Sequence, residues 1–112
     1  MIKEINQLWV EAGETLNGEV VYTIGMSDQL RDEVGEISFA SIAELGEIGL
    51  DDTLLNVEAS KAAIEIPVPF AGVIIERNDE AEASPNLLDS PETTKNWLVR
   101  MTASQTNAFA SL

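Results

Sequence analysis

Two places in the chain combine residue types that could do chemistry. Lys61 is one of three lysines, and its neighbours in residues 59–63 are alanines and a serine, so nothing bulky would shield its ammonium group. Asp51 and Asp52 are adjacent carboxylates, and paired acids can act in general acid–base catalysis. From residue type alone, a lysine at a turn is usually a solvated charge. Adjacent acids in an acidic loop are usually solvated too, or at most hold a cation loosely.

Missing residue types exclude several kinds of site. The chain contains no cysteine and no histidine. A disulfide, a cysteine-type zinc site, a Ser-His triad and a Cys-His dyad are therefore all excluded. Any redox or acyl chemistry would have to be carried by a group attached to the chain. We accordingly predict no metal site and no catalytic residue of these kinds.

Composition predicts one acidic domain over residues 1–112, long enough for a modest core. The net charge is −14, from 20 acidic and 6 basic residues. This charge argues against nucleic acid or an anionic membrane as a partner, because both require a basic face. It favours partners with basic surfaces. The start of the chain lacks the features of a signal or transit peptide, and no long apolar run follows. We expect a cytoplasmic monomer.

The sequence around Lys61 predicts the element that would position it. Residues 55–59 alternate between apolar and polar types, and residues 64–68 do so again. Such period-two alternation is typical of a strand with one face on a core. Two such strands joined by a short turn form a β-hairpin, so Lys61 should lie at or near the tip of a hairpin.

One short helix and a following strand are predicted before the hairpin. Ser27 can cap free backbone N–H groups and Asp28 suits the first turn, while Gly35 ends the helix. Residues 36–42 alternate and predict a strand with Ile37 and Phe39 facing inward.

The remaining strands are short and closely spaced. Apolar and β-branched runs predict strands at residues 8–10, 20–24, 73–76 and 97–101, with a bulge or break at Gly25. Residues 11–14 are typical of a turn, residues 45–52, 78–85 and 91–96 of loops, and 84–88 of one helical turn. The prolines in residues 67–72 predict an edge or bend. The pattern favours a small β-sandwich or barrel with one short helix.

Several motifs in order resemble one known family. The letters EASKA at residues 58–62 resemble the E-x-x-K-A lipoylation motif of the glycine cleavage system H protein. Residues 24–28, 34–37 and 69–72 resemble the family's G-I-T-D, L-G-D-I and P-x-x-G segments. The N…S-P-x-L…W-L pattern of its tail is similar to residues 78–98. On this ordered set the chain is identified as a member of the H-protein family.

The resemblance implies a fold, a cofactor and partners. The fold would be a lipoyl-type β-sandwich, a barrel-sandwich hybrid, with short helical turns near the C-terminus. Lipoic acid would be joined to Lys61 as an amide, with Glu58 and Ala62 recognised by a lipoate-protein ligase. The protein would not be an enzyme and would have no catalytic residue; as a carrier it would shuttle intermediates or reducing equivalents between glycine decarboxylase, aminomethyltransferase and dihydrolipoyl dehydrogenase.

Departures from the family pattern indicate a second interpretation. Asp51 stands where the family has glycine, although aspartate tolerates a left-handed backbone. Thr94 and its two successors replace a glycine-rich segment. The chain thus resembles the H-protein-like branch, some members of which are linked to a sirtuin and macrodomain pair. There the lipoylated protein would serve in oxidant defence and be ADP-ribosylated on an acidic residue, for which Asp28 is the candidate.

Three further alternatives stay open. The chain could be a docking domain that kept the fold and lost its modification, in which case Lys61 would stay free even beside a ligase. It could be an enzyme that uses Asp51 and Asp52. It could also carry biotin, although biotinylated lysines normally lie between methionines, whereas Ser60 and Ala62 flank Lys61.

Overall fold

The computed structural model describes residues 2–5, 7–16 and 18–103, and within them nine strands form two antiparallel sheets. One sheet has six strands in the order β1-β2-β3-β9-β8-β5, and the other has three in the order β4-β6-β7. The strands are β1 (Ile2–Ile5), β2 (Leu8–Leu16), β3 (Glu19–Met26), β4 (Ile37–Ile42), β5 (Gly46–Ile48), β6 (Thr53–Ala59), β7 (Ala63–Pro67), β8 (Gly72–Arg77) and β9 (Trp97–Ala103). The predicted mainly-β sandwich is confirmed.

Short helices connect several of the strands. They are α1 (Asp28–Val34), α2 (Asp79–Ala83) and α3 (Thr93–Asn96), with a 3₁₀ segment at Pro85–Asp89. None of the described helices is long and apolar enough to cross a membrane. The strand predicted at residues 97–101 extends to Ala103, and the helical turns predicted beyond it lie outside the described residues.

One apolar core joins both sheets and α1. Its fully buried members include Leu8, Ile24, Leu30, Leu55, Ile74, Leu98 and Met101. Each such side chain contributes about 1.5–3 kcal/mol relative to leaving it in water. Leu30 and Val34 are one helical turn apart and bury the single apolar stripe of α1. The core therefore fixes α1 against the sheets.

The ends of α1 follow the sequence prediction. The Ser27 hydroxyl accepts a hydrogen bond from the Leu30 backbone N–H at 3.2 Å, which satisfies one free donor of the first turn. Gly35 ends the helix with φ +80°, and its N–H donates to the Arg31 carbonyl oxygen. The predicted cap and stop residues are both confirmed.

Several loops and turns were predicted wrongly. Residues 11–14 are not a turn, because β2 continues through them and shifts register between Ala12 and Thr15. The strand β5 and the helices α2 and α3 occupy segments predicted as loops. These elements are three to five residues long, too short to carry a periodic signal.

The inward orientation predicted for Phe39 was also wrong. Ile37, Ala40 and Ile42 face the core, whereas 48% of Phe39 is exposed. Ile37 pairs with Ala59, and Phe39 pairs with Glu58, the adjacent residue on β6. The strand β4 therefore holds one extra residue there. Such a β-bulge changes the phase of the alternation and turns the side chain that follows it outward.

Candidate functional site

Lys61 lies at the connection of the β6–β7 hairpin. The two strands are antiparallel, and their last paired residues are Glu58 and Ala63. Beyond this pair, the Ala59 N–H donates to the Ala62 carbonyl oxygen at 2.9 Å and closes the turn. Ser60 and Lys61 are both exposed there. The predicted hairpin is confirmed, and the lysine stands at its apex.

The hairpin apex is attached to the end of α1 through the main chain. The Lys61 N–H donates to the Val34 carbonyl oxygen at 2.8 Å, and the Ser60 N–H donates to the Glu36 carbonyl oxygen at 2.9 Å. In return, the Glu36 N–H donates to the Ser60 hydroxyl at 3.0 Å. These three bonds hold the backbone of residues 60 and 61 in one position, independently of what the lysine side chain does.

Gly35 makes this attachment sterically possible. A Cβ atom built on Gly35 would overlap the Ser60 hydroxyl and come within 3.1 Å of Lys61 Cγ. The backbone also has φ +80°, which L side chains rarely adopt. The helix-stop signal at this glycine was visible in the sequence, but its contact with the hairpin was not.

The Lys61 ammonium group lies at the C-terminal end of α1. Its Nζ donates to the Asp32 carbonyl oxygen at 3.2 Å, where the helix dipole favours a positive charge. No carboxylate of the described residues lies within ion-pairing distance of it. The amine therefore keeps one exposed hydrogen bond and stays accessible.

Glu58 and Ala62, the predicted recognition residues, flank the lysine differently. Glu58 is exposed on the outer face of the three-stranded sheet, between Phe39 on β4 and Ala63 on β7. Ala62 is half-buried, and its carbonyl oxygen accepts the bond that closes the turn. Glu58 thus presents a carboxylate beside the hairpin, whereas Ala62 supplies little exposed surface.

Asp28 lies at the opposite end of α1 from Lys61. Its carboxylate is exposed and forms an ion pair with Arg31, one turn along the helix. Asp28 and Arg31 also line a small cleft of about 180 Å³ with Trp9 and Met26. Asp32, whose carbonyl oxygen Lys61 contacts, is four positions after Asp28, which corresponds to roughly 6 Å along the helix. Asp28 and Lys61 therefore lie at opposite ends of one helix without touching.

Asp51 and Asp52 lie in the turn before β6. Asp51 has φ +80°, the left-handed conformation expected where the resembled family has glycine. The Asp52 side chain accepts a hydrogen bond from the Gly49 N–H at 2.8 Å. Within the described residues no group of three or more acidic side chains is arranged to hold a metal ion. This geometry gives both acids a structural explanation.

The family model and the relatives that match this chain are all glycine cleavage H or H-like proteins. A family model described as glycine cleavage H-protein matches residues 2–112. The glycine cleavage system H-like protein of Staphylococcus aureus is 35% identical over 112 residues, which are 100% of this chain and 97% of that protein. The glycine cleavage system H protein of Photorhabdus laumondii is 34% identical over 105 residues, 93% of this chain and 78% of that protein.

A solved structure has the same fold. The crystal structure of a glycine cleavage system H protein from Mycobacterium marinum matches with a TM-score of 0.75 and covers 99% of this chain and 96% of that chain. Its sequence identity to this chain is 19%, so the likeness concerns the arrangement of strands and helices.

Proposed function

Because the chain belongs to the glycine cleavage H-protein family, whose members carry covalent lipoic acid on a lysine and are not enzymes, we propose that Lys61 is its attachment residue. The whole of residues 1–112 then works as one carrier domain. The observation that carries this proposal is the exposed position of Lys61 at a hairpin apex whose backbone is hydrogen-bonded to residues 34 and 36 at the end of α1.

The other two lysines have less suitable surroundings. Lys3 is half-buried in β1, at the edge of the six-stranded sheet. Lys95 lies in α3 and forms an ion pair with Glu92 at 3.5 Å. Neither stands at a hairpin apex. Because a ligase must fit its active site over the amine, a projecting turn flanked by small residues is the better substrate.

The chain's own part in the modification is to present Lys61 Nζ in one place. A ligase joins the lipoate carboxyl carbon to this nitrogen as an amide, and the Lys61 ammonium group loses two protons to the solvent. ATP is cleaved to pyrophosphate and AMP, and one carboxylate oxygen leaves with the AMP. The fixed backbone of residues 60 and 61 lowers the entropy lost when the enzyme docks.

After attachment, the chain determines which partner enzymes dock and holds the lipoyl arm where it can extend to them. Lipoic acid, when bound, contributes a disulfide that undergoes reversible exchange with thiols. The hairpin keeps the attachment point outside the fold, so the reactive end of the arm reaches a docked partner at an effective concentration on the order of millimolar. Neither Glu58 nor Ala62 takes part in this chemistry; both act in ligase recognition.

The partners follow from the family. H proteins interact with lipoate ligase and with the enzymes of glycine cleavage. For this chain we propose lipoate-protein ligase, glycine decarboxylase, aminomethyltransferase and dihydrolipoyl dehydrogenase. The net charge of −14 favours docking on basic surfaces of these enzymes. A monomeric state and a cytoplasmic location stay predictions.

A second candidate is the H-like role in oxidant defence. The observation that favours it is the S. aureus relative, named H-like, which aligns with the full length of this chain. In this role a sirtuin would ADP-ribosylate Asp28 after lipoylation, and a macrodomain protein would remove the group. The exposed Asp28 carboxylate on the same helix that contacts Lys61 suits such coupling.

Intact mass spectrometry tests the attachment residue. The purified chain is incubated with lipoate, ATP and a lipoate-protein ligase, and we expect a gain of one lipoyl group. Lys61→Arg should abolish the gain, and Lys95→Arg, the matched control, should leave it unchanged. An unmodified parent protein would favour the docking-domain alternative, and a modified Lys61→Arg variant would move the site to another lysine.

The same assay tests the second candidate. Lipoylated and unlipoylated protein are incubated with NAD⁺ and a sirtuin of the H-like type. A gain of one ADP-ribosyl group on the lipoylated form alone, lost in Asp28→Asn and kept in Asp32→Asn, is the expected result. Modification that persists in Asp28→Asn rules out this acceptor.

A further inference from the structure

We propose that the outer face of the three-stranded sheet, centred on Phe39, docks the enzyme that acylates Lys61. We call it the Phe39 face and define it as Phe39, Asn56, Glu58, Ala63 and Glu65. The inference rests on the proposed role of Lys61 and extends recognition beyond the residues next to the lysine to a different strand.

The Phe39 face is a short groove with an aromatic side chain at one wall. In cross-strand register, Phe39 on β4 lies opposite Glu58 on β6, and Glu58 lies opposite Ala63 on β7. The next row pairs Asn56 with Glu65. Together with Val57 and Ile64, the five residues line an open groove of about 370 Å³. The small Ala63 leaves room that a bulkier residue would fill.

The exposure of Phe39 is built into the backbone. The bulge between Ile37 and Phe39 moves the phenyl ring from the core face to the solvent face, where 48% of it is exposed. By this arrangement Ala40 and Ile42, rather than Phe39, face the core on this strand. The strand β4 is an edge strand, and bulges are over-represented both at sheet edges and next to active sites, where they re-aim a side chain.

The Phe39 face is continuous with the hairpin that carries Lys61. Lys61 is three positions after Glu58, so their backbones are at most about 10 Å apart. Phe39 lies one strand away from Glu58, a further ~5 Å. An enzyme that covers the hairpin apex with a footprint of about 800 Å² on this chain would therefore also cover Phe39.

Charge specifies the chemistry of the partner surface. The face carries the exposed carboxylates of Glu58 and Glu65, and the segments 37–42, 53–59 and 63–67 contain no lysine or arginine. The complementary surface is an apolar pocket for a phenyl ring, rimmed by lysine or arginine side chains. Buried aromatic anchors surrounded by polar contacts supply most of the energy in such interfaces.

The test measures kcat and KM of lipoylation with a lipoate-protein ligase, lipoate and ATP, followed by intact mass. For Phe39→Ala we expect KM to rise at least about tenfold, the scale of a lost aromatic anchor, with kcat nearly unchanged. Phe39→Leu should recover part of the loss. Glu65→Gln should raise KM less, and added salt should raise KM for the parent protein.

Ile75→Ala is the matched control, because Ile75 is a similarly exposed apolar residue at 39% but belongs to β8 of the other sheet. Its KM should equal that of the parent, and circular dichroism should show that all variants are folded. Equal KM values for Phe39→Ala and the parent overturn the docking surface while leaving Lys61 as the attachment residue. A parent protein that is not lipoylated at all overturns both. A loss confined to kcat also contradicts docking.

Discussion

Lys61 Nζ lies 3.2 Å from the carbonyl oxygen of Asp32, so the residue proposed for modification rests against the last turn of α1. Acylation would remove the positive charge from this helix end and replace three donors with one amide N–H. The main-chain bonds from residues 60 and 61 to Val34 and Glu36 do not involve Nζ and should survive.

Removing the charge of Lys61 should therefore cost little stability. For Lys61→Gln, and for the lipoylated protein, we expect the free energy of unfolding to fall by about 0.3–1 kcal/mol, the usual size of a charge–dipole interaction at a helix end. Urea titration of both forms measures the change. A loss of several kcal/mol would mean that the ammonium group is a structural contact.

Gly35→Ala should affect both stability and modification. The backbone at φ +80° disfavours alanine, and the new Cβ would overlap the Ser60 hydroxyl. We expect a loss of about 1–3 kcal/mol in the free energy of unfolding and slower lipoylation, because the apex must move. Gly18→Ala is the matched control, since Gly18 has φ +83° with no atom within 4 Å of the added Cβ. If both variants behave alike, strain alone explains the loss.

Arg77 should be a main polar contributor to stability. Its guanidinium is largely buried, donates to the Ile42 carbonyl oxygen at 3.0 Å and pairs with Glu82 at 2.6 Å. Arg77→Met should reduce the free energy of unfolding by about 1–3 kcal/mol, less than for a fully buried pair because the carboxylates retain some water.

The control for Arg77 is the exposed pair of Arg100 and Glu76, whose atoms are 3.0 Å apart. Arg100 also stacks over the Trp97 ring at 5.1 Å. Arg100→Met should cost no more than about 1 kcal/mol in the same denaturation experiment. Equal losses in the two variants would show that the burial of Arg77 is unimportant.

Replacing Asn96 should lower the stability of the fold, because both the oxygen and the nitrogen of its side-chain amide form hydrogen bonds. Its Oδ1 accepts from Trp9 Nε1 at 2.8 Å, and its Nδ2 donates to the Ser90 carbonyl oxygen at 2.8 Å. Asn96→Ala should cost about 1–3 kcal/mol, since a buried indole N–H loses its acceptor. Asn56→Ala, at an exposed position, should cost much less. Thermal denaturation compares the two, and equal midpoints would contradict the prediction.

The sequence predicted the elements that carry a clear local signal. Alternation over residues 55–59 and 64–68 located the hairpin, because one face of each strand must be apolar to meet the core. Ser27 and Gly35 located α1 by the chemistry of its ends. The left-handed conformation of Asp51 was expected as well.

Features that depend on contacts between distant segments were not predictable. The bulge beside Phe39 adds one residue without changing the residue types, so simple alternation assigned the ring to the wrong face. The short α3 follows Glu92 with no side-chain cap, and its end is held by Asn78, whose side chain donates to the Lys95 and Trp97 carbonyl oxygens. Such support comes from packing rather than from local propensity.

The backbone attachment of the hairpin apex has a practical consequence. Since main-chain atoms fasten residues 60 and 61, position 61 should accept side chains of other chemistry without shifting the turn. The natural chain contains no cysteine, so Lys61→Cys would create a unique thiol there. A dye, a spin label or a synthetic redox group could then be attached at this thiol, and the domain would present it at the position that Lys61 occupies in the natural chain.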